Sequence, residues 1–261
     1  MGNLIHTIEE VPKDKKLIVF DLDGTLAESK APIDPVMGSL LARLLARHKV
    51  AIIGGASFAQ LTSQLPAEMM ENNYVLANLF LLPLDGGAFY IYKDNGWQNV
   101  YMQSLTAEEK KKIFDAFEMA FKATGYVQPS RVYGEVIEDR GSQVTFSALG
   151  QQAPLEEKEK WLKEKNDERL ELVPKLRDHL PDMEITVAGL TSIDVTKKGI
   201  DKKFGIEQLL RHLNISADEA LYVGDALGPD GNDAPALESG VLCFEVKSIT
   251  DTKNLIEYLL G

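Results

Sequence analysis

Leu17-Ile18-Val19-Phe20-Asp21-Leu22-Asp23-Gly24-Thr25 sets an unbroken apolar run directly against two carboxylates, a glycine and a hydroxyl. A short run without polar alternation suits a strand buried on both faces, as in a parallel sheet. Successive strand side chains alternate, so Asp21 and Asp23 can point the same way. They stand at the carboxyl end of the strand, where open α/β sheets bind ligands. Two carboxylates side by side repel unless a cation lies between them. Gly24 permits a tight turn, and Thr25 offers a hydroxyl and an amide toward an anion. Taken alone, the run also reads as a solvated Asp-rich turn.

The neighbouring elements favour the sheet. Met37–Arg47 places Leu40, Leu41, Leu44 and Leu45 at helical spacing. Val50–Ile53 is a second buried strand, ending in Gly54-Gly55. Strand, helix, strand begins a parallel α/β architecture. The pattern then turns antiparallel. Phe89–Tyr92 and Trp97–Met102 flank a turn and read as a hairpin. Thr106 with Glu109 makes a capping box for a helix to about Ala123. Glu135–Glu138 and Gln143–Ser147 form a second hairpin candidate, and Leu155–Leu180 reads as one long, charge-laced helix. Beyond Ile185 the alternation returns: Ser192–Val195 extended, Asp201–His212 helical, strands at Leu221–Val223 and Val241–Val246, and a closing helix Asp251–Leu260. The expectation is an α/β protein with a Rossmann-like parallel-sheet core from residues 1–86 and 188–261, and an inserted α+β cap over 87–187. Hinges are expected near Gly86-Gly87 and Gly189.

The second acidic cluster also follows an apolar strand: Gly224-Asp225-Ala226-Leu227-Gly228-Pro229-Asp230-Gly231-Asn232-Asp233. Small residues with hard oxygen donors suit Mg²⁺. Asn232 or Asp233 can equally cap a helix over Ala234–Ser239. Both readings can hold, with Asp225 a ligand and Asp233 a cap or a supporting group. Lys202, alone, reads as a surface lysine, and it gains weight only as the cation an Asp-rich phosphate site needs.

Composition narrows the partners. The chain has 261 residues, 44% apolar and 26% charged, which excludes a largely disordered or low-complexity protein. Lys plus Arg number 28 and Asp plus Glu 40, a net charge of −12, so nucleic acid is an unfavourable partner. Cys243 is the single cysteine, which rules out an intrachain disulfide; its setting Val-Leu-Cys-Phe-Glu-Val reads as an inert core thiol. The N-terminal residues lack a signal-peptide core, and Gly2 lacks the Ser or Thr of a myristoylation site. The greasiest stretch, Tyr74–Leu84, is broken by Asn78 and Pro83 and falls short of a membrane span. A cytoplasmic protein with no membrane partner is expected.

Jointly, DLDGT after an apolar strand, a strand ending in GG, a late lysine and GD…ND resemble the haloacid dehalogenase superfamily of phosphotransferases. The insertion after the second core strand resembles its large α/β cap class. Over nearly the whole chain, VFDLDGTLAESKAPIDP, VAIIGGASF, AFYIYKDNG, YGEVIEDRGSQVTFSALG, TSIDVTKKGIDKKFGI and VGDALGPDGNDAPAL look like segments of the eukaryotic-type phosphomannomutases, in the same order. The resemblance implies Asp21 as nucleophile, Asp23 as general acid and base, and Lys202 as a fixed positive charge. It implies Mg²⁺ held by Asp21, the Asp23 carbonyl and Asp225, with phosphate contacts from Thr25, Gly54, Gly55 and Ser57. The family has a serine directly after the glycine pair; here Ala56 stands there and Ser57 follows. Arg140, Ser192 and Asp194 match residues that contact the cap-bound substrate. Two further family arginines are replaced, by Tyr133 and Gln151.

That loss bears on activity. A mutase holds a sugar bisphosphate in two orientations and needs cations for the distal phosphate, for which Arg is the natural bidentate donor. A phosphatase needs one phosphate site and water. The expectation is therefore a sugar-phosphate phosphatase, with a phosphomannomutase as the alternative and a non-catalytic phosphate-binding protein as a remote one. A homodimer through the cap is a further expectation from the resemblance.

Overall fold

The structure, a computed structural model, describes residues 3–29, 31–70, 73–164, 168–229 and 231–261. Gly2 and Asp230 lie outside the described residues. Twelve strands are present among the described residues: β1 (Leu4–Ile5), β2 (Leu17–Asp21), β3 (Lys49–Gly54), β4 (Leu79–Pro83), β5 (Ala88–Lys93), β6 (Gly96–Met102), β7 (Ile137–Asp139), β8 (Gln143–Ser147), β9 (Met183–Ala188), β10 (Ser192–Lys197), β11 (Ala220–Gly224) and β12 (Leu242–Glu245). They form two compact units, Met1–Met102 with Asp201–Gly261, and Gln103–Ile200.

The first unit is built on an eight-stranded sheet in the order β1-β12-β11-β2-β3-β4-β5-β6. The strands from β1 through β4 pair in parallel, and the β5–β6 hairpin closes that edge antiparallel. Strand parity sorts the side chains into two layers. Ile18, Phe20, Val50, Ile52 and Val223 pack with Leu41 and Leu44 of helix Pro35–Leu45 and Leu255 and Ile256 of helix Ile249–Leu260. Leu17, Val19, Ala51, Ile53 and Tyr222 pack on the other face with Ile206 and Leu209 of helix Lys202–Leu213. Both faces of β2 and β11 are covered, which is why each reads as continuously apolar. Cys243 is buried in the second layer, and burial pushes its thiol up to about 12, as an inert core thiol requires.

Asp21 shares its parity with Leu17 and Val19, so it belongs to the face that helix Lys202–Leu213 covers. The N-terminal end of that helix is set by two contacts. Asp201 caps it, accepting from the Phe204 amide at 2.9 Å. Gly205 meets the turn after β4, where Leu84, Asp85 and Gly86 have φ of 59°, 51° and 88°. A Cβ on Gly86 would stand 2.6 Å from the Gly205 Cα, so the backbones touch with no side chain between them.

The second unit carries a four-stranded antiparallel sheet, β7-β8-β10-β9. Thr106 and Glu109 form the expected capping box, and the helix runs Ala107–Thr124 before Gly125 at φ 71°. One sheet face, Val144, Phe146, Ile193 and Val195, packs on Ile113, Phe117, Leu172 and Leu176. The other face is polar. Gln143, Thr145 and Ser147 of β8 stand opposite Thr196, Asp194 and Ser192 of β10, and all six are buried.

Three sequence expectations are corrected. The hairpin β5–β6, assigned to the insertion over 87–187, extends the core sheet, because a tight turn after β4 lets β5 fold straight back on it. Ser192–Lys197, assigned to the core from 188 onward, is an inner strand of the second sheet, since a buried apolar-polar strand reads alike in either sheet. The chain crosses between units at Met102–Gln103 and Ile200–Asp201, so Gly86-Gly87 and Gly189 fall inside units and are not at the crossovers. The long helix over 155–180 is described as Leu155–Glu164 and Arg169–His179, with 165–167 outside the described residues.

Gly86→Ala strains a positive φ and drives a methyl into the Gly205 backbone. It should lower unfolding free energy by about 3 kcal/mol, read as a lower urea midpoint at unchanged slope.

Candidate active site

The carboxyl ends of β2 and β11 bring the sequence-predicted residues together. Lys202 is 1% exposed, and its Nζ lies 2.5 Å from Asp21 Oδ1 and 2.6 Å from Asp233 Oδ1. The Tyr222 hydroxyl donates to the same Asp233 oxygen at 2.5 Å, and the Ala226 amide donates to Asp233 Oδ2 at 2.9 Å. Asp233 therefore makes no helix-capping bond to Ala234–Leu237; it is a buried acceptor for three donors. Asp225 completes the cluster. One carboxylate oxygen from each of Asp21, Asp225 and Asp233 lies within 4.8 Å of the others.

Glycines make room for this crowding. A Cβ on Gly24, at φ 93°, would stand 2.4 Å from Asp225 Oδ2. One on Gly54 would stand 3.8 Å from Asp21 Oδ1, which places the end of β3 beside the cluster. Thr25 is fully buried and its Oγ1 has no hydrogen-bond partner, as a hydroxyl reserved for a ligand would be. Ser57 is engaged locally. It caps helix Phe58–Gln64, its amide donating to Gln60 Oε1 at 3.0 Å while its Oγ accepts from the Gln60 amide at 3.3 Å. The Ser57 amide is thus already used. Asp23 is not among the three clustered carboxylates; its backbone bridges to Ala27.

The charges respond to one another. Burial, against the pull of Lys202 and with repulsion from Asp233, raises Asp21 well above the carboxylate range. Desolvation and the Asp233 charge raise Asp225 to about 6. Burial alone would lower Lys202, but the two carboxylates outweigh it and hold the ammonium charged. Asp233 is held low despite burial, because Lys202, Tyr222 and the Ala226 amide all donate to it. A hard divalent cation fits this donor set: clustered carboxylate oxygens, two of them reluctant to ionise together. Both oxygens of Asp233 are occupied, so Asp21 and Asp225 are the side chains free to hold it.

On the second unit, Thr145 donates to Asp194 Oδ1 at 2.7 Å and receives from Gln143 Nε2 at 2.8 Å. Arg140 is bound by Glu138 at 2.6 Å and by Gln151 Oε1 at 2.9 Å. Arg131 lies 4.8 Å over the Tyr133 ring. Ser192 is buried in β10, and its carbonyl accepts from Arg169 at 3.2 Å. The sequence reading missed Tyr222, Thr145 and Arg169. Tyr222 had one visible signal, a hydroxyl in an otherwise apolar strand two residues before Gly224.

A carboxylate pair closed by a buried lysine at the strand ends, with an unpartnered threonine hydroxyl just after β2, suits a phosphotransferase. The chain belongs to the haloacid dehalogenase-like hydrolases, whose family model matches residues 18–248. It is 25% identical over 252 residues to a protein of Caenorhabditis elegans named as a probable phosphomannomutase, covering 94% of this chain and 96% of that one. It is 29% identical to the phosphomannomutase of Encephalitozoon cuniculi, covering 84% and 83%. The fold is similar to that of IMP-bound IMP-nucleotidase from Plasmodium falciparum, with a TM-score of 0.69 at 15% identity, covering 97% of this chain and 70% of that one.

Two outcomes follow from the cluster. Lys202→Met leaves two buried carboxylates facing each other and should cost about 3–5 kcal/mol of stability, with kcat falling by about 10²–10³-fold in folded protein. The second concerns pH. Asp225 binds its proton more tightly folded than unfolded, so its ionisation costs metal-free stability in full above about pH 6, and that cost is relieved as pH falls from about 6 to the unfolded carboxylate range. Mg²⁺ bound at Asp225 would compete with that proton. Its Tm increase should be larger at about pH 8 than at about pH 5, and much reduced in Asp225→Asn.

Proposed function

We propose that this chain is a Mg²⁺-dependent sugar-phosphate phosphatase of the cytoplasm, working through an aspartyl phosphate on Asp21. With Oδ1 held by Lys202, Asp21 attacks phosphorus through Oδ2 as the bond to the sugar oxygen breaks. Asp23 gives its proton to the departing oxygen, then takes one from the water that cleaves the acyl phosphate. Lys202 fixes a positive charge beside the transferring group, and Thr25 Oγ1 and the Gly54-Gly55 turn meet its oxygens. Asp21, Asp225 and the Asp23 carbonyl would hold Mg²⁺, which when bound would screen the nucleophile from the phosphate it attacks.

The observation that carries the phosphatase reading is the state of Arg140. Its side chain is 4% exposed and paired with Glu138, and Gln151 accepts from it at the position where the phosphomannomutases are expected to carry arginine. Lys197 is likewise paired with Glu109 at 3.4 Å. With these cations engaged, Arg140, Ser192 and Asp194 suit the hydroxyls of a hexose phosphate better than a second phosphate. The relatives named as phosphomannomutases favour the other reading, an enzyme interconverting mannose 1-phosphate and mannose 6-phosphate.

One tube separates them. With Mg²⁺ and mannose 1-phosphate, inorganic phosphate should appear without mannose 6-phosphate, whether or not glucose 1,6-bisphosphate is present. Asp21→Asn should abolish the release without unfolding the protein. Bisphosphate-dependent mannose 6-phosphate would establish the mutase and overturn the argument from Arg140.

A further inference from the structure

Tyr222 is fully buried in β11, whose other residues are aliphatic or glycine. Its ring packs in the layer beneath helix Lys202–Leu213, and only its hydroxyl reaches the charged cluster. That hydroxyl donates to Asp233 Oδ1, the oxygen that also accepts from Lys202. The Ala226 amide holds Oδ2. Gly224 forms the wall: a Cβ there would stand 2.3 Å from Asp233 Oδ2 and 2.9 Å from the Tyr222 ring. Three donors and one backbone surface thus fix the Asp233 carboxylate in a single orientation.

The orientation matters because Asp233 can reach the cluster formed with Asp21 and Asp225. A carboxylate turned toward the cation would be a third anionic ligand. Mg²⁺ prefers one or two carboxylates with water and substrate oxygen, whereas Ca²⁺ gains from a larger, more anionic and more flexible oxygen set. We propose that Tyr222 is a positioning residue that reserves Asp233 for Lys202 and withholds it from the cation, so that the site prefers Mg²⁺ over Ca²⁺. The inference rests on the reading of Asp21 and Asp225 as metal ligands given above.

Calorimetric titration with Mg²⁺ or Ca²⁺ alone tests it on wild type, Tyr222→Phe, Asp233→Asn and the double variant. Losing one donor should tighten Ca²⁺ by about 3–10-fold in Tyr222→Phe and change Mg²⁺ by less than about two-fold. The gain should vanish in the Asp233→Asn background. Turnover of 4-nitrophenyl phosphate should show kcat lowered by about 3–10-fold at unchanged KM. Unchanged affinities for both cations in folded Tyr222→Phe overturn the proposal and leave the metal reading standing. A Ca²⁺ gain that persists without the Asp233 carboxylate also overturns it. A wild type that binds neither cation overturns both readings. Should Tyr222→Phe fail to fold, site-specific 3-fluorotyrosine, a stronger donor of nearly the same shape, should weaken Ca²⁺ binding; no change there overturns the proposal.

Discussion

A lysine ammonium with almost no contact with water is stable here only because two carboxylates face it. Each buried ion would cost several kcal/mol of lost hydration, and removal of any one would leave its partners uncompensated. The three belong to distant parts of the chain: Asp21 ends β2, Lys202 opens the helix that covers one face of the sheet, and Asp233 follows the loop after β11. Closing this triad therefore fixes how helix and strands dock. The Gly86–Gly205 contact serves the same end, since a side chain at either position would push the helix start, and Lys202 with it, away from the strand ends. Strain in the turn at Leu84–Gly86 is tolerated where it secures a functional geometry.

The triad is unequal, and the inequality gives the site its chemistry. Asp233 takes donors from three sides and stays ionised, while Asp21 shares only the lysine and is pushed toward its neutral form. One positive charge among three carboxylates leaves a deficit at Asp21 and Asp225. A divalent cation bound there would remove it and leave Asp21 charged, as the proposed nucleophile must be. The second unit shows the opposite balance. Glu138 offsets Arg140 and Thr145 supports Asp194, the other buried groups of β8 and β10 on that face are amide and hydroxyl, and Glu184 of β9 stands opposite Thr196.

Much of the core was legible because parallel strands announce themselves. β2, β3 and β11 are continuous apolar runs that end in Asp, Gly or both, and the helices between them show plain apolar periodicity. Asp21, Asp225 and Lys202 are singled out by the resemblance of the joint motif to the haloacid dehalogenase superfamily, since Lys202 alone reads as a surface lysine. The unit boundaries did not follow, because local pairing type is a poor guide to sheet membership. β5–β6 is antiparallel yet belongs to the parallel sheet, and β10 is as buried as a core strand yet belongs to the other. Ser57 illustrates a different limit. Its position suits both a phosphate contact and a helix cap, and only the Gln60 geometry shows that the cap has taken its amide.

Asp233 was open to two readings for a related reason. An acidic residue just before Ala234 is what a helix N-terminus asks for, and sequence cannot say whether the side chain turns toward the helix or away from it. The deciding information lies in strand parity across the sheet. Val19 pairs with Tyr222, so Tyr222 projects to the same face as Val19 and, two residues further, Asp21. That face is covered by the helix that begins with Lys202. A hydroxyl at Tyr222 is therefore delivered beneath the lysine, where it needs an acceptor to be buried at all. Asp233 is that acceptor, and a capping bond to its own helix would leave the phenol without one and the ammonium with Asp21 alone.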